Sequence, residues 1–183
     1  GTLIGREHPN LASLPRSKEF AHFWPRQGNG IPTTSNSQLR NQVSETLFNL
    51  SQSNNLSSLV DLAGVADEGG RREAHFDYAA ALLTYKIVVV TQRDRHEDHY
   101  RLMEALCGGR MVMADYMLSL PEGLQDGQHL VMFSGMEEMR RKVLYYLQND
   151  DERLQIAQAG YSEVMNHHRS WHRVEEFILK HVT

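Results

Sequence analysis

The chain has 183 residues, 40% hydrophobic and 23% charged, with a formal net charge of -4. That length suits one well-buried domain and excludes two large ones, and the acidic balance argues against a general nucleic-acid binder, which presents a basic face. No apolar run approaches the roughly 18 residues needed to cross a bilayer, and the single cysteine, Cys107, excludes an intrachain disulfide and a cysteine-built metal site.

The sequence opens on Gly1 rather than Met, as a processed protein, a trimmed chain or a fragment would. Residues 1–19 contain Pro9 and Pro15 and no sustained periodicity, so they are expected to be an arm or linker that must dock on something to be ordered. The aromatic run Glu19–Trp24 predicts a first strand, ended by Pro25, and the Gly, Pro and Ser/Thr/Asn content of residues 26–37 predicts a loop. Leu39, Val43, Leu47 and Leu50 share one helical face, with Ser37 as the expected N-cap. A second strand is expected over Leu59–Ala63, then a loop through Gly64, Gly69 and Gly70, then a helix marked by Phe76, Ala79, Ala80 and Leu83. Asn49-Leu50-Ser51 and Asn55-Leu56-Ser57 are glycosylation sequons, which suit the secretory pathway. A Ser/Asn-rich stretch also produces such matches by chance, so a cytoplasmic location stays open.

The alternation continues in the second half. Lys86–Val90 reads as a buried strand, and Asp98–Leu106 as a helix ended by Gly108-Gly109. Met111–Ala114 and Leu130–Phe133 are the next strands, followed by helices over Met136–Gln148, Asp151–His167 and Ser170–His181. Strands separated by helices at this spacing predict an α/β fold, a mostly parallel sheet with helices on both faces. In such a sheet ligands sit at the carboxyl ends of the strands.

From Tyr85 the sequence runs YKIVVVTQRDRHEDHYRLMEALCGGRMVMADYMLSLPEGLQDGQHLVMF, and further on DDERLQIAQAGYSEVMNHHRSWHR. In order it carries Arg101, Glu104, Ala105 and Gly109, then Asp126-Gly127, then Asp150 or Asp151 with Arg153, Ala157 and Gly160, and finally His168 and Arg173. This succession resembles the C-terminal domain of the group 1 glycosyl transferases, in the variant found in spore-maturation-type proteins. The resemblance implies a Rossmann-like, single GT-B half-domain over residues 20–183 that binds a nucleotide-activated sugar for transfer to an acceptor hydroxyl. It implies a missing acceptor-binding domain or partner chain, and no metal or other cofactor held by the protein beyond the nucleotide-sugar donor.

Residue chemistry points the same way. Asp98 opens a helix at a strand's carboxyl end, where free backbone N–H groups and the helix dipole attract phosphate. Glu104 shares a face with Arg101 at i, i+3, and a carboxylate there suits two vicinal ribose hydroxyls, the role the resemblance implies for it; a surface Glu104–Arg101 pair is the plainer alternative. Arg93 or Arg95 would neutralise diphosphate charge as the sugar leaves, or would be solvated loop charges. Many relatives carry an E-x7-E pair whose second member matches Glu104; the first position here is His96, with Glu97 one residue out of phase. That departure favours a second reading, a non-catalytic half-domain serving as an interaction or scaffold subunit of a larger complex.

Other clusters carry less. His96, Glu97, Asp98 and His99 lack the H-E-x-x-H spacing and point to different faces of a helix, so no metal is expected there. His167, His168 and His172 would share a register only if no helix break fell at Ser170. The run Asp67–Arg72 could line a donor cleft or be a surface loop, and the methionines, Met103, Met111, Met113 and Met132 among them, read as core filling.

Overall fold

The structure, a computed structural model, describes residues 17–24, 38–60, 82–92 and 99–181. In chain order these residues form β1 (Lys18–His22), α1 (Gln38–Asn54), β2 (Ser58–Val60), β3 (Tyr85–Val90), α2 (His99–Cys107), β4 (Met111–Asp115), β5 (Val131–Phe133), α3 (Met136–Gln148), α4 (Asp150–His167) and α5 (Ser170–His181). The strands make one sheet in the order β2-β1-β3-β4-β5. Every pairing is parallel, with His22 opposite Val89, Val90 opposite Ala114 and Asp115 opposite Phe133.

Side-chain alternation divides the core in two. Phe20, Ile87, Val89, Met111, Met113, Val131 and Phe133 point to one face, where Val43, Leu47 and Leu50 of α1 and Met139, Val143 and Tyr146 of α3 cover them. Ala21, Val88, Val90, Val112 and Ala114 point to the other, under Leu102, Ala105 and Leu106 of α2. Helix α4 serves both faces, giving Ile156 and Ala157 to the first cluster and Val164 to the second. Both faces of the central strands are thus buried, which is why β3 and β4 read as nearly unbroken apolar runs. The expected α/β, Rossmann-like architecture with helices on both faces is present, and the sheet is wholly parallel.

Several boundaries differ from expectation. Strand β1 begins at Lys18, one residue before the expected Glu19 and within the stretch expected as an arm, and it stops at His22 rather than Trp24. Strand β2 spans Ser58–Val60, whereas Leu59–Ala63 was expected, and positions 61–63 lie outside the described residues. So do Ser37, the Asp67–Arg72 run and Phe76–Ala80 of the expected helix. Helix α2 does end on the glycine pair: the Gly108 N–H donates to the carbonyls of Glu104 and Ala105, and Gly109, with φ +64°, donates to that of Leu106.

Motif residues of the second half hold these elements together. Gly160 packs so closely that a Cβ there would lie 2.2 Å from the His129 carbonyl oxygen. The Asp126 carboxylate accepts from the Met132 N–H at 2.7 Å, and Gly127 turns the chain with φ +76°. Arg153, almost fully buried, donates to the Tyr146 carbonyl at 3.1 Å and pairs with Asp150, which identifies the acidic partner between Asp150 and Asp151. Helix α4 ends at His167 and α5 starts at Ser170, so the 168–172 histidine register is broken.

Candidate functional site

The strand order reverses direction between β1 and β3: the chain leaves β1 toward β2, then crosses to β3 and proceeds to β4 and β5. Helix α1, which follows β1, covers one face of the sheet and α2, which follows β3, covers the other, an arrangement that leaves a crevice at the carboxyl ends of the strands. An open cleft lies there, lined by His22, Phe23 and Trp24 after β1, Arg40 of α1, Val89, Val90 and Thr91 at the end of β3, and Arg101 of α2.

Its polar floor is a chain of hydrogen bonds. The Ser44 hydroxyl gives its one proton to the Trp24 carbonyl at 3.0 Å. Its oxygen therefore accepts from Nδ1–H of His22, 3.1 Å away, which leaves the His22 Nε2 to accept from the Thr91 hydroxyl at 3.1 Å. His22 is 2% exposed. Burial, with the Arg40 and Arg101 charges adding to it, lowers its pKa to about 3, so the imidazole is neutral at physiological pH.

Two arginines stand over that floor. Arg40 donates from Nε to the Gln92 carbonyl at 3.2 Å and from Nη2 to the Thr91 carbonyl at 2.9 Å, and its guanidinium lies 4.8 Å from the centre of the Trp24 ring. The Trp24 indole N–H donates to the Asn41 side chain at 2.9 Å. Arg101 reaches the Phe23 carbonyl at 3.4 Å. Beside the cleft, the Asp115 carboxylate at the end of β4 accepts from the Gln92 N–H at 2.8 Å. Among the described lining residues two are cations and none is a carboxylate, so the cleft is suited to an anion.

Of the residues singled out from sequence, Arg101 lines this cleft. Glu104 sits one turn further along α2, half-buried and not among the lining residues; it lies near Cys107, where burial raises the thiol pKa, Arg169 lowers it and Glu104 raises it. Arg93, Arg95, His96 and Asp98 lie outside the described residues, as do Glu97 and the side chain of His99. Among the described residues no group of three or more His, Cys, Asp or Glu side chains is placed to hold a metal ion.

The sequence reading missed His22, Trp24, Arg40, Ser44 and Thr91. One signal was available: Arg40, Ser44, Leu47 and Ser51 fall at i, i+4, i+7 and i+11, so three polar residues sit on a buried stripe of α1. His22 and Thr91 leave no such trace, because their partners are distant in sequence.

Comparison with known proteins agrees with this architecture. The C-terminal domain of a glycosyl transferase group 1 family protein, LpcC from Francisella tularensis, is similar with a TM-score of 0.56 at 13% identity, over 84% of this chain and 88% of that one. TarM is similar with a TM-score of 0.62 at 11% identity over 89% of this chain. HepE from Anabaena, solved in complex with UDP, gives 0.59 at 12% over 97%. The chain spans 35% of the TarM chain and 52% of the HepE chain, about half their length or less. No curated protein sequence matches it significantly. The family described as glycosyl transferase-like matches residues 58–178, about two thirds of the sequence. With that match and a fold shared with GT-B C-terminal domains, the chain belongs to the glycosyl transferase-like family.

Proposed function

We propose that this chain is the donor-binding half of a GT-B glycosyltransferase and holds a nucleoside diphosphate sugar at the switch-point cleft. The observation that carries the reading is the placement of two cationic side chains, Arg40 and Arg101, with no carboxylate among the described lining residues, where a parallel sheet of this order binds ligands. HepE, which shares the fold, was solved with UDP and with UDP and glucose. In this reading Arg101, with Arg93, Arg95, His96 and Asp98 from the segment entering α2, surrounds the diphosphate, and Glu104 accepts hydrogen bonds from the ribose hydroxyls.

The reaction breaks the bond between the anomeric carbon and the β-phosphate oxygen and forms one from that carbon to the acceptor oxygen. The electron pair leaves with the nucleoside diphosphate, whose growing charge the arginines stabilise. The acceptor's proton goes to a base outside residues 20–183, on an acceptor-binding domain or partner chain, so donor binding rather than turnover is the activity of this half. The residues that precede β1, the remainder of the stretch expected as an arm, reach toward that partner.

Calorimetric titration with UDP and GDP tests the reading. Wild type binds one of them, Arg101→Ala weakens it roughly 10- to 100-fold, the worth of a lost charge-assisted hydrogen bond, and Glu104→Ala weakens it measurably. Absence of binding by wild type to both nucleotides removes the donor site and leaves the scaffold reading; unchanged binding in Glu104→Ala removes that residue's role.

A further inference from the structure

We propose that Arg40 is a positioning residue: it fixes the backbone leaving β3 at Thr91-Gln92, at the edge of the cleft. The inference rests on the donor-binding reading and adds to it a residue from α1, outside the matched stretch 58–178.

The backbone at issue is Thr91-Gln92. The β3–β4 ladder ends at Val90 opposite Ala114, so the next two residues lie beyond it. They are held instead by three separate elements. Arg40, reaching across from α1, takes the carbonyls of both residues. His22, at the end of β1, takes the Thr91 hydroxyl, and Asp115, at the end of β4, takes the Gln92 N–H. Arg40 is the only one of the three that grips both carbonyls, and its two bonds diverge from Nε and Nη2 in the way only a guanidinium allows.

Arg40 is 4% exposed, so its guanidinium is held out of water, with two of its bonds running to the Thr91 and Gln92 carbonyls. What a guanidinium adds is direction. It fixes the direction of two carbonyls, stacks on Trp24 to tie the exits of β1 and β3 together, and keeps a positive charge on the lining of the cleft where the donor is proposed to sit. Arg101 completes the tie from the far side through the Phe23 carbonyl.

The test uses the whole chain with Arg40→Met and Arg40→Lys, reading the Gln92 amide exchange rate by NMR and affinity for UDP or GDP, whichever wild type binds more tightly. Arg40→Met is expected to unfold cooperatively while its Gln92 amide exchanges about tenfold faster or more, with the Val112 and Met113 amides of β4 unchanged. Nucleotide affinity falls by about tenfold or more in parallel. Arg40→Lys, which keeps the charge but not the two diverging donors, is expected to fall between Met and wild type in both readouts. A wild-type Gln92 exchange rate in Arg40→Met overturns the proposal. Should Arg40→Met fail to fold, Arg40→Lys decides alone, and wild-type values in both readouts overturn it. If wild type binds neither nucleotide, the donor reading fails, while the exchange comparison still decides what Arg40 does.

Discussion

His22 shows how much one side chain depends on its surroundings. Its ring is buried between Ser44 and Thr91 with both nitrogens engaged, one donating and one accepting, so a second proton would face the Thr91 hydroxyl and two guanidinium charges. The folded pKa is about 3, against roughly 6.5 in an unfolded chain. Between those values only the unfolded chain takes up the proton, so His22 lowers stability as pH falls from about 6.5 toward 3 and adds no pH dependence above about 6.5. Urea denaturation is expected to show a loss of at most about 2 kcal/mol from this group between pH 7 and pH 5, and His22→Asn should flatten that part of the profile. An unchanged profile in the variant means that the ring is not held neutral. Nothing in the sequence around His22 announces this role, because Ser44 and Thr91 lie 22 and 69 residues away.

At the scale of elements, the motif glycines and charges act mainly as joints. Gly160 lets α4 approach the backbone at His129, and Leu106 of α2 closes in from the other side. A methyl at that position meets a carbonyl oxygen rather than a side chain that can swing away, so the elements must separate. Gly160→Ala is expected to cost about 3 kcal/mol of unfolding free energy, measured by urea titration; a cost near zero would mean that α4 and the His129 turn are not in this contact. Arg110 makes a comparable joint, fully buried and donating to the carbonyls of Leu82 and Leu83 at the entry to β3. These elements were legible in the sequence because their periodicity is local: α3 matches its expected span, and β3, β4 and α2 differ by a residue at an end. Strand β2 was less legible at its start, which lies at Ser58 rather than the expected Leu59; positions 61–63 of the expected strand lie outside the described residues.

Across the whole molecule, the parallel sheet sets where chemistry can occur, and α5 sets what the surface offers. Trp171, Val174, Phe177, Ile178 and Leu179 are all exposed on α5, between 49% and 64%. Because Val174 and Ile178 already face solvent, Val174→Glu and Ile178→Glu are each expected to change unfolding free energy by less than about 0.5 kcal/mol. A loss above about 2 kcal/mol in chemical denaturation would show that this face is buried in solution.

What the sequence determined by itself was the alternation of elements, the two-sided burial of β3 and β4, the glycine stop of α2 and the family resemblance, all of which depend on neighbours within a few turns of chain. The tertiary structure alone decided that β1 and β3 lie side by side, and so that His22, Trp24 and Arg40 meet Thr91 and Arg101 in one cleft. The reason is physical: strand order is fixed by which apolar faces pack together across the whole sheet. Hydrogen-bond partners brought together by that packing leave no periodic mark on the residues between them.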